Sequence, residues 1–320
     1  MSEILIASAS IDKPTYGPVA EKLDDRGFDV FLYLADRVAR GEDTFSVSTT
    51  PQGGLNFSYN GVPKNLDRVH AGWYRHPNLV NLDEEDKAKK ICIEDEISSL
   101  QDVWWQQIPE SLWLNSPERN QKAQTKLAQL ATASTLGFNI PETIISNSWE
   151  SIDRYLQTDD VIVKMARGVL YEDDETKVLY TTRLNSVAKS ELRLALPFPA
   201  IFQNYASKSR EWRVTVVGDE VFEASIYTDK DAKDDWRKHQ FTDRVTFKKE
   251  NLDEDIKLKC IQFLGEYGLR YGAFDFIENQ DGKVTFLECN PNGQYMWLEE
   301  SLGLQISDAI TNELVRIASI

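Results

Sequence analysis

The runs Gly272-Ala-Phe-Asp-Phe-Ile277 and Val284-Thr-Phe-Leu-Glu-Cys-Asn290 form the most informative stretch of this sequence. Each run places one carboxylate in a largely apolar context, which is typical of the two strands of a hairpin. Glu288 and Asn290 are two residues apart, so on a strand they project to the same face. With Asp275 they predict a site made only of oxygen ligands, which suits Mg²⁺ shared with nucleotide phosphates. An ordinary ion-pair network with arginines is the alternative interpretation of these carboxylates.

Two lysines are candidates for phosphate contacts. Lys164 ends the apolar run VIVK, and a lysine that ends a buried strand is costly unless it faces an anion. Lys126 lies on an amphipathic helix. Most helix lysines are solvated, so Lys126 taken alone indicates only a surface charge.

Composition restricts the class of protein and of partner. The chain has 320 residues, is 41% hydrophobic and carries a formal charge of −16. Its acidic character argues against a nucleic-acid partner and requires a local cluster of cations for any carboxylate or triphosphate ligand. No charge-free stretch has the length of a bilayer span, and the N-terminus lacks a signal-peptide pattern. We therefore predict no membrane partner and a cytoplasmic location.

Cysteine and histidine give no metal or disulfide pattern. Cys92, Cys260 and Cys289 are odd in number and far apart, so we predict reduced, structural cysteines. The three histidines share no ligand spacing, which argues against a zinc site.

Strand and helix patterns alternate along the chain, which predicts an α/β (α+β) fold. The predicted strands cover 3–10, 28–34, 69–75, 161–164, 177–182 and 200–206, with hairpins at 49–65, 210–227 and 272–290. The predicted helices cover 13–27, 83–107, 119–137, 186–196 and 251–268, with a polar loop at 166–177 and an amphipathic C-terminus. The helix 83–107 is expected to bury Ile91, Ile97 and Leu100. Trp104, Trp105 and Trp113 are expected to pack in a core or domain interface rather than to bind a ligand.

The order of these parts resembles the ATP-grasp superfamily from about Asn115 to the C-terminus. The features are a helix lysine before G-x-x-x-P, the lysine of VIVK, FQNYA before E-x-R, and then D-F and E-x-N. Within that superfamily, WYRHP at 73–77, DDWR at 234–237 and FLECNPNGQYMWLE at 286–299 resemble the microviridin-type, or graspetide, ligases. This second resemblance spans nearly the whole chain.

The resemblance implies a division of the chain and a role for each matching residue. An N-terminal pre-ATP-grasp domain would cover 1–115, and the nucleotide would lie between α+β subdomains at 116–204 and 205–320. The implied phosphate contacts are Lys126 and Lys164, the adenine contacts are Gln203, Asn204, Tyr205 and Ala206, the ribose acceptor is Glu211, and the metal ligands are Asp275, Glu288 and Asn290. Arg213 would clamp the γ-phosphate or acyl phosphate, and Arg237 would hold the acidic side chain of the substrate. Either arginine is alternatively a plain ion-pair partner.

The implied activity uses ATP and Mg²⁺ to activate Asp or Glu side chains of a ribosomal precursor peptide and to close ester or amide crosslinks. The leader segment of that peptide would bind beside 180–196, and a homodimer is a further expectation. The loop after Lys164 has a single glycine, unlike the glycine-rich flap of many ATP-grasp enzymes, which puts the backbone phosphate contacts of the flap in doubt. The alternatives are a ligase that adds a free amino acid to a tail, and a kinase or nucleotide-binding module without ligase activity.

Overall fold

The computed structural model describes residues 2–77, 82, 87–157, 160–164, 169–172, 175–178, 182–184, 198–229 and 244–319. The strands are β1 Glu3–Ser8, β2 Asp29–Leu34, β3 Phe45–Thr49, β4 Leu55–Tyr59, β5 Val62–Lys64, β6 Val69–Tyr74, β7 Thr143–Ser146, β8 Val161–Lys164, β9 Val169–Glu172, β10 Glu175–Val178, β11 Thr182–Arg183, β12 Ala200–Asn204, β13 Arg210–Val217, β14 Glu220–Thr228, β15 Val245–Lys248, β16 Tyr271–Glu278 and β17 Val284–Asn290. The helices are α1 Lys13–Asp25, α2 Ala35–Ala39, α3 Lys87–Trp105, α4 Pro117–Ala123, α5 Lys126–Thr135, α6 Trp149–Tyr155, α7 Glu254–Tyr267, α8 Met296–Leu302 and α9 Ile306–Ala318. None of the helices in these ranges is long and apolar enough to cross a bilayer.

The N-terminal sheet has the order β2-β1-β6, with parallel pairing throughout. Every residue of β1 is buried, as expected for a central parallel strand covered on both faces. One face packs against α1 and α9, and the other packs against an aromatic cluster shared with the small sheet β3-β4-β5. Trp104, Trp105 and Trp113 are buried in that cluster, which confirms the prediction that they are core residues.

Helix α3 uses a different buried face from the one predicted. Ile91 and Leu100 are 56% and 47% exposed, whereas Gln101 and Trp104 are buried and Ile97 packs against the aromatic cluster. The prediction for Ile91 and Leu100 was wrong because the large aromatic surface at the end of the helix determines its orientation. Burying a tryptophan removes more apolar area from water than burying either aliphatic side chain.

The predicted helix over 119–137 is two helices, α4 and α5, which meet at Gln124 and Thr125. Thr125 is extended, with φ −77° and ψ 100°, and serves as the N-cap of α5. The side-chain amide of Gln129 donates to the carbonyl of Ala123, so it satisfies a carbonyl at the end of α4 that a continuous helix would have paired internally. The break places Lys126 in the first turn of α5.

A four-stranded sheet with the order β11-β8-β12-β7 follows in the middle of the chain. The predicted polar loop over 166–177 is wrong in part, because Val169–Glu172 pairs antiparallel with Glu175–Val178 as a two-stranded ribbon. Val, Leu and Tyr in the first of these strands favour extended backbone despite the surrounding charges. The helix predicted at 186–196 lies outside the described residues.

A five-stranded antiparallel sheet with the order β15-β14-β13-β16-β17 contains the hairpin of Asp275 and Glu288. One face packs against α5 and α7, with a core that includes Trp212, Phe274, Phe276 and Phe286. Helix α7 has Asp253 as its N-cap and ends at Gly268, whose φ of 64° is readily adopted by glycine. The opposite face packs in part against the core of the N-terminal sheet, through Ala224 and Tyr271, and also carries polar side chains.

The C-terminal helix α9 returns to the N-terminal sheet. Ile310, Leu314 and Ile317 share one core with Ile4 and Ile6 of β1 and with residues of the five-stranded sheet. The segments predicted as the first and third domains thus contribute to a common core. The boundaries at 115 and 204 remain predictions.

Candidate active site

Three charged side chains form one row across β13, β16 and β17. Arg213 lies opposite Asp275, and Asp275 lies opposite Glu288. Residues directly opposite each other in a sheet project from the same face. Asp275 is 8% exposed and Arg213 is 7% exposed, so this pair lies in a poorly hydrated position where charge interactions are strong, whereas the Glu288 side chain is 28% exposed.

A β-bulge determines which way Glu288 points. Asp275 pairs with Glu288 while Phe276 pairs with Phe286, which leaves Leu287 as an extra residue on β17. In a regular strand Phe286 and Glu288, two residues apart, would share a face, because strand side chains alternate. The bulge instead lets Phe286 enter the core while Glu288 joins the row, an example of a bulge that redirects a side chain.

Lys126 lies against this row. Its Nζ is 3.0 Å from Oε2 of Glu288. A lysine in the first turn of a helix is opposed by the positive end of the helix dipole, and the carboxylate of Glu288 offsets that unfavourable interaction. The position of Lys126 on a helix, considered alone, indicated a solvated surface charge. The structure instead shows an ion pair with Glu288 at the predicted site.

Arg213 is enclosed by several groups. Its Nε is 2.9 Å from Oδ1 of Asp275, but the N–H is not aligned for a hydrogen bond, so we describe the contact as an ion pair. A Cβ on Gly293 would lie 3.3 Å from Nη1 of Arg213 and would collide with the side chain of Ala273. The guanidinium carbon is also 5.8 Å from the centroid of the Trp297 ring. The structure thus contains the ion pairs that the alternative interpretation of Arg213 and the carboxylates describes. The roles of Arg213, Asp275 and Glu288 in binding a ligand remain predictions.

Asn290 is exposed and is held by its own turn. Its Oδ1 accepts a hydrogen bond of 2.9 Å from the backbone N–H of Asn292. A carbonyl oxygen has two lone pairs, so this oxygen retains acceptor capacity for a cation.

The turn after Asn290 is braced by an arginine from the N-terminal sheet that the sequence did not single out. Arg75 is 1% exposed, pairs with Asp12 at 2.8 Å, and donates at 2.6 Å to the carbonyl of Asn292. WYRHP and ECNPNG, two of the segments on which the resemblance was based, are therefore in contact. The structure identifies Arg75 by its burial and its buried acidic partner. Because Asp12 is far from Arg75 in the sequence, no local spacing predicts the pair.

His76 makes a second contact with the same turn. Its Nε2 is 2.6 Å from the carbonyl oxygen of Asn292, which can only accept, so the neutral ring holds its proton on Nε2. Burial, reinforced by the charge of Arg75, lowers the pKa of His76 to about 4.

We expect His76 to make the free energy of unfolding depend on pH. Its folded pKa lies below the ordinary value of about 6.5, so the unfolded chain binds more protons between about pH 4 and pH 6.5. The contribution is complete above pH 6.5 and falls as the pH is lowered to 4, by at most about 1.4 kcal/mol per pH unit.

Urea unfolding of the wild type and of His76→Asn across this pH range measures the effect. Asn tolerates the φ of 48° at this position and does not titrate, so subtracting the two curves removes the contribution of other groups. Parallel curves would contradict the expected titration.

The predicted adenine contacts, Gln203–Ala206, cover the end of β12 and the two residues after it. Gln203 is buried and donates to Thr143, while the backbone N–H groups of Asn204 and Tyr205 donate to Glu142 and Asp160. Because these two N–H groups already donate within the protein, the predicted contacts with adenine would come from other backbone groups of Gln203–Ala206. This segment joins the four-stranded sheet to the five-stranded sheet.

Lys164 ends β8 opposite Ile201 of β12. Its side chain is half-buried. It thus lies in the four-stranded sheet, whereas Lys126 contacts Glu288 of the five-stranded sheet. Arg237 and DDWR lie outside the described residues, as does most of 180–196.

Glu211 precedes Arg213 by two residues on the same face of β13, and it has a partner that the sequence did not reveal. Lys208 Nζ is 2.6 Å from Oε1 of Glu211, and both side chains are largely buried, at 7% and 14% exposed. A lysine three residues before a candidate ribose acceptor is a sequence signal that we missed.

The donor set fits a small divalent cation. In the ranges that the structure describes, no three His, Cys, Asp or Glu side chains cluster as a metal site. Asp275 and Glu288 are adjacent in register, and Ala273, two residues before Asp275, lies opposite Asn290. Two carboxylates and one amide oxygen suit Mg²⁺, which usually completes its shell with phosphate and water.

Comparison with solved structures places the whole chain in one structural group. A RiPP-associated ATP-grasp ligase from Chryseobacterium gregarium, solved with ADP and a leader and core peptide, is 27% identical with a TM-score of 0.85, covering 99% of this chain and 97% of that one. The macrocyclase MdnC from Microcystis aeruginosa MRC, solved with the precursor peptide MdnA, is 26% identical with a TM-score of 0.82, covering 98% and 99%. The macrocyclase MdnB from the same source is 25% identical, with a TM-score of 0.77, covering 98% and 99%.

More distant structures share the fold. The ATP-grasp ligase PsnB, at 20% identity, has a TM-score of 0.74. No protein-family model and no curated protein sequence matches the chain. The expected α/β (α+β) ATP-grasp architecture is confirmed by these structural matches, and the chain has the ATP-grasp fold with a full-length likeness to RiPP-associated ATP-grasp ligases.

Proposed function

We propose that this protein is an ATP-dependent ligase that crosslinks a ribosomal precursor peptide. The observation that carries the proposal is the row Arg213, Asp275 and Glu288, completed by Lys126, on one face of a fold that matches peptide-maturing ligases along its whole length. The row supplies both carboxylates for a cation and guanidinium and ammonium groups for phosphate. Those two kinds of group are what an acidic protein requires locally to bind a triphosphate.

The first step joins a peptide carboxylate to phosphate. A carboxylate oxygen of an Asp or Glu side chain attacks the γ-phosphorus of ATP, and the bond between that phosphorus and the bridging oxygen breaks to release ADP. Lys126, Lys164 and Arg213 stabilise the negative charge on the transferring group. Mg²⁺, held by Asp275, Glu288 and Asn290, would neutralise phosphate charge.

The second step forms the crosslink. A hydroxyl or amine of the same peptide attacks the acyl carbon and loses its proton, and inorganic phosphate leaves. The product is an ester or amide that closes a ring, and water is lost from the peptide overall. Holding both groups of one peptide at the site makes the reaction effectively intramolecular.

Mass spectrometry of a reacted peptide tests the proposal. The purified protein is incubated with ATP, Mg²⁺ and a full-length peptide encoded beside its gene, one rich in Thr, Ser or Lys followed by Asp and Glu. We expect the peptide to lose one water for each bond formed while ADP and phosphate accumulate. A peptide of unchanged mass, with no peptide-dependent ADP release, would exclude the proposal.

The same spectrum separates the other candidate functions. A ligase that adds a free amino acid would increase the mass of the peptide by that residue and would require the amino acid in the reaction. A kinase would increase the mass by a phosphoryl group. A regulatory nucleotide-binding module would leave both the peptide and ATP unchanged.

We expect Glu211→Gln to raise the KM for ATP by about tenfold and to reduce the preference for ATP over 2′-deoxy-ATP. A charged acceptor bonds a ribose hydroxyl more strongly than a neutral amide oxygen. Peptide-dependent ADP release with the two nucleotides measures this preference.

Lys208→Met is the companion variant. It removes the partner that lies 2.6 Å from Glu211 without changing the carboxylate, so we expect a smaller loss of the same preference. Glu250→Gln, which alters an acidic partner of Arg210, serves as the control. An unchanged nucleotide preference in Glu211→Gln would remove the ribose role.

The proposal includes three features that follow from sequence and resemblance. These are a homodimeric assembly, a cytoplasmic location, and the boundaries at 115 and 204. Size-exclusion chromatography with light scattering tests the first of them.

A further inference from the structure

We propose that Gln129 is a positioning residue for the metal-binding strand, whose side-chain amide fixes β17 between Glu288 and Asn290. The inference rests on the proposed function, because it concerns the same magnesium and nucleotide site. Gln129 is 2% exposed and contributes no atom to the row of charged groups. Its effect on a ligand is exerted through the backbone of β17.

The hydrogen bonds of Gln129 complete the open edge of the five-stranded sheet. Strand β17 lies at the edge of the sheet, with β16 on one side and, on the other, an isolated parallel bridge between Thr285 and Asn139 near its start. The N–H of Cys289 donates at 2.8 Å to Oε1 of Gln129, and Nε2 of Gln129 donates at 2.7 Å to the carbonyl of Cys289. A primary amide offers one acceptor and one donor side by side, so it pairs with the residue as a neighbouring strand would.

The residue that Gln129 holds lies between two proposed metal ligands. Cys289 is flanked by Glu288 and Asn290, which both project away from the core that Cys289 enters. Fixing both backbone groups of the middle residue therefore fixes the origin of both ligand side chains. Cys289 is 3% exposed, so water could not replace the side-chain amide of Gln129. Removing that amide would leave the N–H and carbonyl of Cys289 buried without these hydrogen bonds.

The same helical turn also positions Lys126. Lys126 precedes Gln129 by three residues in α5, so the two side chains lie on neighbouring parts of one helix face. Gln129 anchors that face to β17, and Lys126 reaches Glu288 from it. The bond from Gln129 to Ala123 adds the end of α4, so one buried side chain joins both helices to the strand.

Asn139 provides a matched control on the same strand edge. Its side-chain Nδ2 donates at 3.1 Å to the carbonyl of Val284, at the opposite end of β17 from Glu288 and Asn290. Asn139→Ala removes a side-chain bond to the edge of β17 without touching the ligand segment. It therefore reports the effect of merely loosening the strand.

The experiment measures ADP binding by calorimetry at a series of Mg²⁺ concentrations for the wild type, Gln129→Met and Asn139→Ala. We expect Gln129→Met to raise the Mg²⁺ concentration for half-maximal binding by about tenfold or more and to speed hydrogen exchange at residues 286–292. Asn139→Ala should leave the Mg²⁺ dependence at the wild-type value. An unchanged dependence in Gln129→Met, or an equal shift in both variants, overturns the inference.

A second variant keeps the test informative if Gln129→Met does not fold. Gln129→Asn keeps the amide but is one methylene shorter, so it reaches the backbone of Cys289 less well; we expect a smaller shift in the same direction, and no shift overturns the inference. A wild type that shows no Mg²⁺-dependent ADP binding would exclude the proposed function together with this inference. Normal binding by the wild type with unshifted Gln129 variants would exclude the inference alone.

Discussion

Asp275→Asn and Glu288→Gln are each expected to reduce peptide-dependent ADP release by on the order of 100- to 1000-fold. Each change replaces a charged oxygen ligand with a neutral amide of nearly the same shape. The cation would then lack one of two carboxylates, and Arg213 or Lys126 would lose its partner. Steady-state coupled assays at saturating ATP and Mg²⁺ measure the loss.

Asp281→Asn is the control for these substitutions. Asp281 lies in the exposed turn of the same hairpin, so the chemical change is identical but remote from the row. It should keep wild-type turnover. Thermal unfolding of all three variants checks that the hairpin has formed, and full activity in either Asp275→Asn or Glu288→Gln would remove the metal assignment.

Arg213→Lys is expected to lower kcat by about 100-fold, although the charge is retained. A lysine amine offers a single point of charge, whereas the guanidinium presents a planar fork that contacts two oxygens of one phosphate or carboxylate. The close approach of Gly293 and the Trp297 ring is fitted to the flat group. Single-turnover formation of ADP measures this step.

Arg210→Lys provides the comparison for Arg213→Lys. Arg210 lies three residues earlier on β13 and forms two hydrogen bonds with the carboxylate of Glu278, so the same substitution removes a planar fork away from the row. We expect it to lower the free energy of unfolding by about 1 kcal/mol and to leave kcat unchanged. If Arg210→Lys slows turnover as much as Arg213→Lys does, the loss reflects the strand and not the phosphate contact.

The segments WYRHP and FLECNPNGQYMWLE, both part of the resemblance, are in contact in the structure. Arg75 from the N-terminal sheet bonds the turn that follows Asn290, and the backbone of that turn bonds the Asn290 side chain. The conformation of a proposed ligand therefore depends on a residue more than two hundred positions earlier in the chain. Local sequence patterns do not report such distances, because turn and strand propensities describe only neighbouring residues.

Several elements were predicted correctly because their signals are local. The hairpin at Gly218 and the end of α7 at Gly268 both require a positive φ, which glycine adopts at little cost. The parallel strand β1 is a continuous apolar run, as buried parallel strands are. The predicted buried face of α3 and the single helix predicted over 119–137 were wrong. In both cases tertiary contacts, of Trp104 and of Gln129, override the periodic pattern.

The sequence by itself determined most of the strands and helices, the ATP-grasp resemblance, and the identity of the carboxylates, lysines and arginines predicted for the site. Residue type and spacing carry that information, since the chemistry of a side chain and the alternation of a strand are properties of the chain. The tertiary structure alone decided that the bulge at Leu287 turns Glu288 out of the core, that Lys126 reaches it, and that Gln129 and Arg75 brace the strand and its turn. These are pairings between distant segments, and their geometry is determined by packing and by the need to satisfy buried polar groups rather than by local preference.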